Sequence, residues 1–189
     1  MRFYAVCCSA AFFMTVPASA EFYAGLEGQH CLAAWESDGE EHADYTDGVA
    51  LRLGYRFKHF ALEMGGETTE AEYGNVDKNG LNSVNRLTIK AATGDIYLYF
   101  PLEERDWLQP FLTFGASWTV GKARTHVEND GSITSLFSNS DVLWRAGIGS
   151  DIRLFRDVAL RITARYQPYD FGGRAKRGAS FNIGFFTAL

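Results

Sequence analysis

From residue 47 to 57 every second side chain is large and apolar. Val49, Leu51, Leu53, Tyr55 and Phe57 share one face, and Ala50, Arg52, Gly54 and Arg56 share the other. A two-residue period is that of a strand with two unlike faces; a helix, with its 3.6-residue period, does not produce it. The pattern recurs seven more times. In 21–32, Phe22, Ala24 and Leu26 oppose Tyr23, Gly25, Glu27 and Gln29; in 59–66, Phe60, Leu62 and Met64 oppose Ala61, Glu63 and Gly65. In 85–100, Leu87 and Ile89 oppose Arg86, Thr88 and Lys90, and the phase then blurs at Gly94 and Asp95, where a bulge is expected. In 111–120, Leu112, Phe114, Ala116 and Trp118 oppose Thr113, Gly115 and Ser117. In 142–154, Trp144, Ala146, Ile148, Ile152 and Leu154 oppose Arg145, Gly147, Gly149, Asp151 and Arg153. The last two set Val158, Leu160, Ile162, Ala164 and Tyr166 against Arg161, Thr163 and Arg165, and Phe181, Ile183, Phe185, Thr187 and Leu189 against Asn182, Gly184 and Phe186. Eight strands of roughly 9 to 13 residues are predicted, with no helix between them.

The connections alternate in length. Three are short, around Lys58, at 101–106 and at Phe155-Arg156-Asp157; four are long and polar, at 33–46, 67–83, 121–140 and 168–178. The turn dipeptides Asp38-Gly39, Asn79-Gly80 and Asp130-Gly131 all fall in the long set. In an up-and-down order the four long loops gather at one end. The two short hairpins also predict registers. With Phe57 and Lys58 at the first turn, Tyr55 faces Phe60, Leu53 faces Leu62, Leu51 faces Met64 and Arg52 faces Glu63. With a three-residue turn at 155–157, Leu154 faces Val158, Ile152 faces Leu160 and Asp151 faces Arg161.

The polar face decides which side is the interior. It carries Arg52, Arg56, Arg86, Lys90, Arg145, Arg153, Arg161 and Arg165 with Glu27, Glu63 and Asp151, interleaved with Gly, Ala and Thr. Small residues relieve crowding inside a narrow barrel, and an eight-stranded barrel is just wide enough for its side chains to fill it. Charges enclosed there must pair, because an isolated desolvated ion costs several kcal/mol. Eight cations against three acids leave the pairing incomplete, with Asp95 a fourth acid if a bulge turns it inward. The expected fold is an all-β, eight-stranded, antiparallel up-and-down barrel, polar inside and apolar outside. A soluble lipocalin-like carrier is the alternative and would need an apolar lumen.

Aromatic residues support a membrane setting. Tyr55, Phe57, Phe60, Tyr97, Tyr99, Trp107 and Phe155 lie toward the short turns, and Trp35, Trp118, Trp144, Tyr166 and Tyr169 toward the long loops. Two belts about an apolar band roughly 25 Å tall are what two bilayer interfaces select. The first twenty residues suit export to such a place. Arg2 precedes an almost unbroken apolar stretch at 3–16, followed by Pro17 and the small residues Ala18, Ser19 and Ala20. This reads as a signal peptide, 1–20, cleaved after Ala20, leaving a barrel domain at 21–189. The apolar stretch is too short for a transmembrane anchor, which needs roughly 20 residues. Cys7 and Cys8 leave with it, and too few residues precede them for a lipoprotein signal. Cys31 remains alone, expected as a small buried side chain, with an intermolecular bridge as the other reading.

The chain resembles the small outer-membrane β-barrel proteins of Gram-negative bacteria, of the opacity-protein and OmpA-like, porin-like type. The marks are Phe22-Tyr23-Ala24-Gly25-Leu26-Glu27 at the start of the barrel, Gln109-Pro110-Phe111 leading to Gly115, Tyr166-Gln167-Pro168-Tyr169, and the final strand 181–189. Family members usually end in an aromatic residue that helps the outer-membrane assembly machinery recognise the last strand; this chain has Leu189 there. The resemblance implies a cell-outer-membrane protein in contact with lipid and lipopolysaccharide, a monomer meeting host or surface ligands through its loops.

Nothing in the sequence assembles a catalytic centre. Some outer-membrane barrels modify lipid A with Ser/His chemistry, which is the enzymatic alternative, and a nucleophilic hydroxyl needs a base within reach. His30, His42, His59 and His126 lie outside any His-x-Ser motif, and His42 with Ser37 and Asp44 is the one cluster of that kind. Asn75-Val76-Asp77-Lys78-Asn79-Gly80 has part of a calcium-loop pattern, but its twelfth position is Arg86 rather than Glu, so a turn is expected. The first long loop holds Glu36, Asp38, Glu40, Glu41 and Asp44, with Asp47 beyond it and no Lys or Arg, a place for a divalent cation or basic partner if it is more than a solvated run. The last carries Arg174, Lys176 and Arg177, which balance charge or meet lipopolysaccharide phosphates. No catalytic, metal or cofactor residue is expected, nor nucleic-acid binding at a net charge of -5. The expected site is a charge network in the lumen: Glu27, Arg52, Glu63, Asp151 and Arg161.

Overall fold

The structure, a computed structural model, describes residues 21–37, 40–76, 82–100, 102, 107–127, 133–168 and 175–189, with side chains described outside 33–44, 71–87, 123–139 and 175–177. Eight antiparallel strands follow one another: β1 (Glu21–Ser37), β2 (Glu40–Arg56), β3 (Phe60–Val76), β4 (Asn82–Tyr99), β5 (Leu108–Val127), β6 (Ile133–Arg153), β7 (Val158–Gln167) and β8 (Ala175–Ala188). Each pairs with its neighbours in sequence, and β1 pairs with β8, closing the barrel. Closure leaves no unpaired edge, which a barrel in hydrocarbon requires.

Seven of the strands are longer than the sequence periodicity suggests, from 14 residues in β8 to 21 in β6, and β7 has 10. The difference lies in the four polar connections. Residues expected as loops continue the ladders, so Ala33 still pairs with Asp44 and Ser37 with Glu40, and the third hairpin likewise runs out to Val127 and Ile133. Apolar alternation lapses there while backbone pairing continues, so polarity alone reads the hairpin stems as loop.

Register follows the side-chain faces. The β6–β7 hairpin has Asp151 opposite Arg161 and Ile152 opposite Leu160, as the turn at 155–157 predicts. The β2–β3 hairpin is shifted by two. Phe57 N–H donates to Phe60 O at 2.7 Å, which puts Lys58 and His59 at the turn. Tyr55 therefore faces Leu62, Leu53 faces Met64, and Arg52 faces Gly65 instead of Glu63. A turn displaced by one residue moves the register by two and leaves every side chain on its face, so both registers satisfy the apolar pattern.

In β4 the phase is continuous. Ile89, Ala91, Thr93, Asp95, Tyr97 and Tyr99 are buried in the lumen, and Lys90, Ala92, Gly94, Ile96 and Leu98 point outward. No bulge interrupts the strand at Gly94 or Asp95. Three expectations are corrected here: Lys90 belongs to the outer wall, Asp95 to the lumen without a bulge, and Tyr97 and Tyr99 to the lumen rather than to the belt. Arg86 has its side chain outside the described residues.

The outer face is apolar, with Leu26, Leu51, Leu53, Leu62, Met64, Phe114, Ile148, Ile183 and Phe185 all exposed. This excludes the lipocalin-like alternative, whose apolar face would line the lumen. At the short-turn end Phe22, Tyr55, Phe57 and Phe60 form a run of ring contacts 4.2 to 4.8 Å apart, with Trp107 and Phe155 exposed nearby. At the other end Trp144 meets Tyr166 at 5.6 Å and Trp118 is exposed. Trp35 and Tyr169 lie outside the described side chains.

Candidate functional site: the ion-paired lumen

The lumen is layered. At the short-turn end Tyr23, Ala61, Tyr97, Tyr99, Phe111 and Phe186 form a buried cluster. At the long-hairpin end the inward residues are neutral, among them Gln29, Cys31, Thr46, Ser117, Thr119 and Gln167. Charges fill the space between and descend into the aromatic layer.

Inward alternation on six strands delivers them. Glu27 comes from β1, Arg52 and Arg56 from β2, Glu63 and Glu67 from β3, Asp95 from β4, Arg145 and Asp151 from β6, and Arg161 and Arg165 from β7. Arg52 donates from Nε to Glu27 at 2.9 Å, from Nη2 to Glu67 at 2.8 Å and from Nη1 to Thr93 at 2.8 Å; Glu63 lies 3.8 Å from its Nε. Arg145 joins Glu67 at 3.0 Å to Asp95, which it grips through both Nε and Nη2. Arg161 holds Asp151 through Nε at 2.7 Å and Nη2 at 3.0 Å and reaches Glu63 with Nη1 at 2.6 Å. Arg165 Nη1 lies 3.4 Å from Glu27, and Arg56 lies 3.9 Å from Asp151.

Two tyrosines join the groups. Tyr97 Oη accepts from Arg165 at 2.6 Å and donates to Glu63 at 2.8 Å; Tyr99 Oη accepts from Arg161 at 2.9 Å and donates to Asp151 at 2.9 Å. Tyr23 gives Glu63 a further hydrogen bond at 2.9 Å. The Arg161 guanidinium also lies 3.9 Å from the Phe186 ring centre and 4.6 Å from that of Tyr97. A phenol suits this place, because it bridges a cation and an anion while its ring packs in the apolar layer.

The charges balance. Among the described residues the network holds five arginines (52, 56, 145, 161 and 165) and five carboxylates (27, 63, 67, 95 and 151). The cation excess read from sequence closes from both sides: Lys90 faces outward and Arg86 lies outside the described side chains, while Asp95 and Glu67, the latter assigned to a loop, are inward acids. Arg153 is exposed at the short-turn mouth. The five residues expected to form the network are in one connected set, with Arg52 reaching Glu27 and Arg161 reaching both Asp151 and Glu63. Sequence reasoning missed Glu67, although its parity matches that of Glu63 and would have placed it.

Glycine makes the room. A Cβ at Gly65 would lie 2.6 Å from Arg52 Nη1, and one at Gly184 would lie 2.6 Å from Glu27 Cγ. Each Cβ would also lie 2.6 Å from a strand carbonyl, that of Leu51 at Gly65 and that of Leu26 at Gly184, so moving the charged side chain alone does not make room for alanine. A crevice of about 90 Å³ opens at the short-turn mouth, bordered by Arg56, Tyr99, Gln109 and Asp151.

Cys31 is buried and free. His30 faces outward, 2.7 Å from Asp47 and stacked 4.9 Å from Tyr45. The Ser37, His42 and Asp44 cluster, the 75–80 turn and the charged tips at 36–44 and 174–177 fall outside the described side chains. Among the described residues no group of His, Cys, Asp or Glu could hold a metal ion.

Comparison with known proteins agrees with this architecture. Neisserial surface protein A is 16% identical, with 90% of this chain and 99% of that one aligned at a TM-score of 0.63. OprG from Pseudomonas aeruginosa is 12% identical, over 90% and 97% of the two chains, at 0.59. Ail, the attachment invasion locus protein of Yersinia pestis, solved with the heparin analogue sucrose octasulfate, is 14% identical over 89% and 99%, at 0.55. No curated protein matches the chain in sequence. The sequence model of the outer membrane protein beta-barrel domain matches residues 4–186. The chain belongs to the outer membrane β-barrel family and is a protein of the outer membrane.

Proposed function

We propose that this protein is a membrane-structural barrel with a closed lumen that presents its four long hairpins to the outside for surface interaction or adhesion. Residues 1–20 serve as an export signal removed after Ala20, the short turns face the periplasm, and the barrel is a monomer that performs no catalysis. The observation that carries this reading is the balanced set of five arginines and five carboxylates across the lumen. A solute would have to break several desolvated ion pairs to pass, at several kcal/mol for each ion left alone. The protein's contribution therefore lies on its outside.

Likeness in fold to Ail supports a surface role, and the charge at the tips narrows it. The acidic first hairpin repels a sulfated sugar of the kind bound by Ail, whereas Arg174 in the last connection and Lys176 and Arg177 at the start of β8 suit an anion. Two measurements test the reading. In planar bilayers the barrel is expected to give no sustained open-pore current, and a stable large conductance would overturn the closed lumen. Binding to sucrose octasulfate is expected to fall when Arg174, Lys176 and Arg177 are replaced by Ser, and to rise when the acids of the first hairpin are neutralised. Binding unaffected by either change would overturn the assignment of ligand contact to these tips.

A further inference from the structure

Lys90 and Lys122 stand together on the outer wall. Lys90 pairs with Val120 across β4 and β5, and Lys122 pairs with Thr88, so the two are diagonal neighbours, with Cα atoms about 7–8 Å apart by sheet geometry. Both are exposed, and among the described residues neither makes an ion pair. Val120 stands opposite Lys90, the next outward rung toward the short turns is the opposed pair Ala92 and Trp118, and from there to the turns the outward positions of both strands carry no charge. The lysines thus sit one step above the apolar band, on its long-hairpin side, where lipid headgroup charge lies.

Below them the wall is hollow. Gly66 pairs with Ala92, and Gly94 with Ala116, all on the outward face. A Cβ at Gly66 or Gly94 would meet nothing within 4 Å. Met64, 67% exposed, and Trp118, 58% exposed, stand on either side of this furrow. It leads from the two ammonium groups into the apolar band.

We infer that this face of β3, β4 and β5 binds one outer-leaflet glycolipid of the lipid A type, its phosphate on Lys90 and Lys122 and an acyl chain in the furrow. The inference rests on the reading that the long hairpins face outward, which puts the pair in the outer leaflet and selects a phosphorylated glycolipid over an inner-leaflet phospholipid. A second copy of the chain is a poor occupant, because two-fold packing here would oppose four unpaired lysines. Glu70, exposed on β3 opposite Thr88, lies diagonal to Lys90 on the side away from Lys122.

The test uses the full barrel refolded in detergent, with retained lipid counted by native mass spectrometry against three probes: phosphorylated lipid A, dephosphorylated lipid A and phosphatidylglycerol. Phosphorylated lipid A is expected to bind best. Lys90→Ala with Lys122→Ala should weaken it about tenfold or more. Gly94→Leu, which fills the furrow without touching the barrel, should weaken it as well. Both variants should keep heat-modifiable gel mobility, so that loss of lipid is not loss of fold. Unchanged retention in both variants, equal binding of the dephosphorylated probe, preference for phosphatidylglycerol, or a dimer abolished by Gly94→Leu would each overturn the inference. Reversed orientation is detected separately: a thiol introduced by Asp130→Cys would then fail to label on whole cells while lipid retention in detergent stayed as expected.

Discussion

Arg161→Met removes the most heavily shared cation of the lumen while keeping a side chain of similar length. Four hydrogen bonds go with it, two to Asp151, one to Glu63 and one to Tyr99. Asp151 keeps Tyr99 and a distant Arg56, and Glu63 keeps Tyr23, Tyr97 and the 3.8 Å contact with Arg52. Both carboxylates stay buried with less compensation than before. Breaking a buried pair in this way costs about 3–5 kcal/mol. With an m-value of about 2 kcal/mol per molar urea, a loss of about 4 kcal/mol lowers the unfolding midpoint by about 2 M. The assay is reversible urea unfolding in lipid vesicles, followed by tryptophan fluorescence. The triple variant Arg161→Met, Asp151→Asn, Glu63→Gln keeps the cavity and removes the stranded charges, and it should recover more than half of the loss. A single variant within about 0.5 kcal/mol of wild type, or a triple variant less stable than the single, would refute the reasoning.

Other consequences follow from the same geometry. Gly65→Ala drives a methyl into Arg52 and the Leu51 carbonyl and should cost about 1–3 kcal/mol, whereas Gly94→Ala enters open space and should change stability by less than about 0.5 kcal/mol in the same unfolding assay. Leu51→Arg, in the apolar band, should destabilise the vesicle-inserted barrel by roughly 2–4 kcal/mol, while Lys90→Leu should be close to neutral; the reverse order would mean that the faces are wrongly assigned. Cys31, free and buried, should resist maleimide in the folded barrel and react once the band on a gel shifts to the unfolded position.

Legibility from sequence followed the solvent on each side of the wall. Where one face meets lipid and the other a filled lumen, alternation is enforced. There strand count, strand order, the inward set around Arg52 and Arg161 and the β6–β7 register could all be read. Beyond the band the outward positions turn polar, as at Lys90, Lys122 and Glu70, while the buried inward ones turn neutral, and the rule that apolar means outward no longer holds. Ile89 is apolar and inward, and Lys90 is charged and outward, so reading phase from polarity inverted the outer end of β4. The same cause cut β3 at Gly66 and lost Glu67. Continuing the parity of Ile96 and Leu98 back along β4 gives the correct faces and moves Asp95, Tyr97 and Tyr99 inside. The aromatic layer in the lumen was hidden for a different reason. Grouping rings by height along the barrel ignores parity, and Tyr97 and Tyr99 share their height with the belt while their hydroxyls serve Glu63 and Asp151. The β2–β3 register had no discriminating signal, because a turn shifted by one residue satisfies the apolar pattern equally well.

The central claim is that ionic and phenolic side chains fill the barrel while aliphatic ones meet lipid. Intermolecular nuclear Overhauser effects between detergent acyl chains and the refolded protein read this residue by residue. Cross-peaks are predicted to Leu51, Leu53, Met64, Ile96 and Ile183, and none to the rings of Tyr97, Tyr99 and Phe111; acyl-chain cross-peaks to those three rings, with silence at the aliphatic set, would contradict the account.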